Sequence, residues 1–129
     1  MMQALLATLF SLALLVQTAS APGRVVNLVL PRSLNEDEGL AVELTLGVLE
    51  RGDRIRVQTA SGKMLGVIST YGIRSGEEAG TYTVPVPAEA VSNNCVSLRI
   101  TLLYNRNKQR APSDQELRSV KLQITPRRR

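Results

Sequence analysis

The chain has 129 residues, with 16 lysines and arginines against 11 acidic residues, a formal net charge of +5, and no histidine. The lack of histidine excludes Ser-His-Asp and Cys-His catalysis, His-ligated zinc and an imidazole base near neutral pH. Tryptophan is absent, and Tyr71, Tyr82 and Tyr104 are the only tyrosines, too few for the aromatic platforms on which single-stranded nucleic acids stack.

From the amino terminus, the first element is an apolar run from Ala4 to Val16, interrupted by Gln17 and Thr18 and followed by Ala19-Ser20-Ala21. The run is the length of a signal-peptide core and falls short of the roughly 20 apolar residues that span a bilayer. Small residues at 19 and 21 match the site a signal peptidase accepts, although no lysine or arginine precedes the run. Residues 1–21 are therefore expected to be a signal peptide, and removing 21 of the 129 residues leaves 108, starting at Pro22. That is enough for one domain with its own core, expected over 22–126 and followed by a basic tail, 127–129. The expected location is periplasmic or extracellular, with no membrane span after cleavage. Cys95 is the single cysteine, so it is an unpaired thiol or pairs with another chain.

Beyond Pro22 the dominant signal is alternation of apolar and polar residues with a period of two, which predicts strands. Leu40 to Leu46 is the clearest case: Leu40, Val42, Leu44 and Leu46 share one face, while Glu43 and Thr45 point to the other. Val96, Leu98, Ile100 and Leu102 repeat the pattern, as do Val120, Leu122 and Ile124. Weaker alternation covers Val25 to Leu30, Arg54 to Thr59, Met64 to Ser69 and Thr81 to Val86, seven strands in all. Ser61-Gly62 predicts a tight hairpin over Arg54 to Ser69. Pro85 cannot donate to a ladder, so Thr81 to Val86 is expected at an edge or leaving its sheet. Ser113 and Glu116 have capping-box spacing, consistent with either a single helical turn or an ordinary polar loop.

Seven short strands separated by turn signals predict an all-β fold, a single antiparallel β-sandwich. In strand count and length this resembles the immunoglobulin and fibronectin type III class, without the Cys-Trp-Cys core of true immunoglobulin domains; a jelly roll or small barrel is the alternative. The resemblance is one of architecture and implies no activity.

Seven basic and nine acidic residues lie between Pro22 and Leu98, against nine basic and two acidic from Arg99 to Arg129. The second stretch holds two clusters: Arg106, Lys108 and Arg110, then Arg127, Arg128 and Arg129. A strand of about eight residues between them would set the clusters ~26 Å apart, at opposite poles of a sandwich. With strands reversing at each step, loops 50–53, 70–79 and 105–114 collect at one pole. Rigidly carried loops are where binding residues concentrate, so Tyr71, Arg74, Arg106, Lys108 and Arg110 are the candidate binding residues.

The acidic triplet Glu36, Asp37 and Glu38 is the nearest candidate for a cation site, but it lacks the alternate spacing of an EF-hand loop. No cofactor is expected. These features predict a noncatalytic protein-interaction or accessory domain whose partner is another envelope or secreted protein. The alternative is a module for acidic polymer or glycan, and a third reading is an enzyme using adjacent carboxylates such as Glu77-Glu78, or Cys95. No specific nucleic-acid binding is expected.

Overall fold

The computed structural model describes residues 21–74 and 76–126. The segment expected to be a signal peptide, except Ala21, and the tail 127–129 lie outside the described residues. Among the described residues no helix is long and apolar enough to cross a membrane.

The described chain forms eight strands: β1 (Arg24–Val29), β2 (Glu38–Val48), β3 (Arg54–Thr59), β4 (Met64–Ser69), β5 (Glu78–Val86), β6 (Cys95–Tyr104), β7 (Lys108–Arg110) and β8 (Leu117–Pro126). The eighth strand is a correction to the expected seven: β7 lies within the stretch read as a loop. All three of its residues are polar and exposed, so alternation could not reveal it.

Two antiparallel sheets result. In the first the order is β1-β6-β3-β4, with the short β7 also on β6; in the second it is β5-β2-β8. Strand β1 pairs with the first half of β6 (Val29 opposite Cys95, Arg24 opposite Ile100), and β7 pairs with its far end (Leu102 opposite Arg110, Tyr104 opposite Lys108). The two sheets bury one shared core. Val42, Leu44 and Leu46 of β2, Ile55 and Val57 of β3, and Val96, Leu98, Ile100 and Leu102 of β6 are all fully buried.

Turn chemistry sets the loops. Asn93 and Asn94, both at positive φ, close a tight turn before β6, where asparagine tolerates the left-handed region better than most residues. Asn105, Arg106 and Asn107 are all left-handed in the β6–β7 connection.

Three connections cross from the first sheet to the second, β1–β2, β4–β5 and β7–β8, and the first and last of them are built alike. After β1, Arg32 donates to both carboxylate oxygens of Glu38 at 2.6 Å, and Glu38 also accepts the Asn35 backbone N–H at 3.0 Å. After β7, Arg110 donates to both oxygens of Glu116 at 2.7 and 2.8 Å, and Glu116 accepts the Ser113 N–H at 2.9 Å. Both segments have an arginine, a capping residue three positions on and a glutamate three further: Arg32-Asn35-Glu38 and Arg110-Ser113-Glu116. The Ser113–Glu116 spacing does form the reciprocal pair of a capping box, Glu116 N–H donating to Ser113 Oγ at 3.2 Å, but within a turn and not a helix.

Each glutamate is held well below its ordinary value near 4.5, to about 2, first by the arginine and then against the cost of its own desolvation or with help from the backbone N–H. A depressed folded-state value contributes stability above the unfolded value, and that stability is lost as pH falls through the folded one. Glu116 is the more buried, its side chain 15% exposed beside an Arg110 that is 42% exposed. With that solvent screening its pair is worth about 1–2 kcal/mol at neutral pH. Unfolding free energy is expected to fall between pH 5 and about 2, and Glu116→Gln should flatten part of that fall in a pH series of urea titrations.

Candidate functional site

Strands β2, β4 and β6 end at one pole, which gathers the β2–β3, β4–β5 and β6–β7 connections. The β2–β3 turn closes with the Asp53 N–H donating to the Glu50 carbonyl at 3.0 Å, and Gly52 takes φ +89. The β4–β5 loop opens with a turn in which the Ile73 N–H donates to the Thr70 carbonyl at 3.1 Å, with Gly72 at φ +86. The buried Thr70 hydroxyl joins the two: it donates to the Asp53 carbonyl at 3.0 Å and accepts the Gly52 N–H at 3.2 Å. The β2–β3 and β4–β5 loops are thus fixed to each other.

Between them lies a cleft of about 530 Å³ lined by Arg51, Gly52, Thr70, Tyr71, Ile73 and Arg74, with Gly72. Two arginines face it, and among the described residues no carboxylate lines it. Tyr71 is 92% exposed, its ring carried out into water. Asp53 lies buried behind the Thr70 bridge, where burial pushes its carboxyl above the ordinary value.

Of the residues expected at this pole, Tyr71 and Arg74 line the cleft together, joined by Arg51, which the sequence reading left out. Arg106 stands at the tip of the β6–β7 turn and Lys108 is exposed on β7; neither lines the cleft. Arg110 is committed elsewhere: it holds Glu116, and its guanidinium lies 5.5 Å from the centre of the Tyr104 ring. Tyr82 is partly buried against the core, with its hydroxyl donating to the Ala79 carbonyl at 2.9 Å.

Charge divides by sheet more sharply than along the chain. The five strands of the first sheet hold Arg24, Arg54, Arg56, Arg99, Lys108 and Arg110 and no acidic residue. The second sheet holds Glu38, Glu43 and Glu78 against Arg118 and Lys121. Arg54 and Arg56 bond the neutral amide oxygens of Asn107 and Gln109, so their charge is not cancelled.

The acidic triplet Glu36, Asp37 and Glu38 has one member already engaged. Both Glu38 oxygens are taken by Arg32, and among the described residues no group of three potential ligands converges. At the opposite pole the half-buried Cys95 lines a hollow with Lys63 and Glu89, which pair at 3.5 Å. Comparison of the chain with protein-family models, with curated proteins and with solved structures finds no match.

Proposed function

We propose that this protein is an exported, noncatalytic docking domain that binds a carboxylate-rich surface of another envelope or secreted protein through the Arg51–Tyr71–Arg74 cleft. One observation carries the reading: two arginines and an almost fully exposed tyrosine around a cleft without a carboxylate. Tyrosine and arginine are enriched among the residues that dominate interface energies, because each combines apolar contact area with a directional polar group. Arginine also meets carboxylates with a planar, two-pronged donor set. Export follows from the signal sequence read over residues 1–21.

The scaffold is read as an immunoglobulin-like sandwich in which the terminal strands have traded sheets. In the constant-type order the first strand joins the sheet of the second and fifth, and the last joins that of the third and sixth. Here β1 lies on β6 and β8 on β2.

Replacing Arg51 and Arg74 together with serine is expected to weaken partner binding at least about 30-fold, as two charge-assisted contacts of about 1–2 kcal/mol each require. Lys121→Ser, on the second sheet, should leave binding unchanged. The check is surface plasmon resonance against proteins captured from the native envelope by the full mature chain; equal affinity of wild type and double variant would refute the cleft.

The acid-free first sheet favours a second reading, attachment to an acidic polymer. In that case binding should fall steeply between 50 and about 300 mM salt and follow the cations of the whole sheet. A docking interface anchored by Tyr71 keeps most of its affinity there.

A further inference from the structure

Strand β4 is the outer strand of the first sheet, hydrogen-bonded to β3 alone. Its sequence, Met64-Leu65-Gly66-Val67-Ile68-Ser69, contains no charge and no proline. The other outer strands carry the usual deterrents to edge pairing: Pro85 in β5, Arg118 and Lys121 in β8, Lys108 and Arg110 in the short β7, and Arg24 in β1, bound to Asp114 at 2.6 Å. Among the described strands, β4 alone presents an uncharged, proline-free apolar edge.

Beside that edge, between β4 and β5, runs a groove of about 350 Å³ with Leu65, Ile68, Tyr82, Val84 and Pro85 in its walls. Gly66 forms part of it, where a Cβ would sit 3.3 Å from Val84 Cγ1. On the outward side Met64 and Val67 are 50% and 49% exposed. The strand then runs directly into Thr70, Tyr71 and Arg74, so the groove leads to the cationic cleft.

We infer that β4 accepts an extended segment of the partner as an added antiparallel strand, with apolar side chains entering the β4–β5 groove and acidic residues at its amino-terminal end reaching Arg51 and Arg74. An added strand lies about 4.8 Å from β4, and its period of two sends alternate side chains into the groove and outward. Antiparallel pairing puts the beginning of the segment at the end of β4, beside the cleft. Charge decides the occupant: no acidic residue lies on the sheet that is extended or in the lining of the cleft at its end, and arginines lie in both. The acidic end rests on the proposed function; the strand addition does not.

The test uses a labelled probe peptide, Asp-Glu-Ser-Val-Thr-Val-Thr-Val, with the full mature protein, read by fluorescence anisotropy and by amide hydrogen exchange. The expected result is saturable binding that slows exchange of alternate amides across Leu65–Ser69 at least tenfold. The same peptide N-methylated at its valines should bind at least tenfold more weakly. In the Arg51→Ser, Arg74→Ser protein the advantage of Asp-Glu over a Ser-Ser peptide should vanish while β4 protection persists. Acid-dependent binding without β4 protection overturns strand addition and leaves the cleft standing. Persistence of the acidic advantage in the double variant, with β4 protected, refutes the cleft alone. Protection of β4 that grows with protein concentration before peptide is added overturns the inference in favour of a second copy of this chain.

Discussion

Replacing Leu44 with alanine is expected to lower the unfolding free energy by about 3–5 kcal/mol, a large part of the ~5–15 kcal/mol that a domain of this size has in total. Leu44 has no exposed surface and sits on β2, the middle strand of the second sheet, opposite Tyr82 on one side and Val120 on the other. Truncation removes the transfer free energy of three carbons and leaves a cavity. The surrounding β-structure is hydrogen-bonded on both flanks and has little freedom to close it. Val29→Ala, at a position 71% exposed, should change stability by less than about 0.5 kcal/mol. Urea titration of both variants, with an unchanged slope, makes the comparison; equal effects would mean that the β2 face does not form the core.

Gly47→Ala is expected to cost at least about 3 kcal/mol, although the residue is exchanged for one with a higher strand propensity. A Cβ on Gly47 would collide with the Gln115 carbonyl, a backbone atom that cannot rotate away. The Gly47 N–H donates to the Glu116 carbonyl at 3.0 Å, and the β2–β8 register shifts at Thr45/Leu46. Accommodating one methyl group therefore displaces the turn that carries Glu116 and loosens its clamp with Arg110. Glycines in open turns offer the contrast: Gly62 meets nothing within 4 Å, so Gly62→Asn incurs only the backbone strain of its φ of +106 and should cost about 1–2 kcal/mol. The crossing of β8 into the second sheet is what makes position 47 intolerant.

The strands that alternate strictly were legible in the sequence. Leu40 to Leu46, Val96 to Leu102 and Val120 to Ile124 lie in β2, β6 and β8, and the Ser61-Gly62 turn joins β3 to β4. Strand partition was not legible, because alternation states which face is buried and says nothing about which neighbour supplies the hydrogen bonds. That loss carried the charge pattern with it. Arg99 is distant in sequence from Arg54 and Arg56, yet the pairing of β3 with β6 places all three in one sheet. Counting charge by chain segment instead drew attention to Arg106, Lys108 and Arg110, of which Arg110 braces a crossover. Arg51 escaped notice because a single arginine beside Gly52 reads as turn polarity until Thr70 is seen to join its loop to Tyr71. One signal was present in the sequence and unused: Arg32-Asn35-Glu38 and Arg110-Ser113-Glu116 share one pattern over seven residues, and they lie at two of the points where the chain changes sheets.

The proposed docking surface is tested most directly by site-specific photo-crosslinking in the native cell, with a benzophenone amino acid in place of Tyr71 and, separately, in place of Glu36 at the opposite pole. Both positions are exposed, so neither substitution disturbs the core. The expected result is a defined protein adduct from position 71, lost when Arg51 and Arg74 are also changed to serine, and none from position 36. An adduct from position 36 with none from 71 would contradict docking through the Arg51–Tyr71–Arg74 cleft.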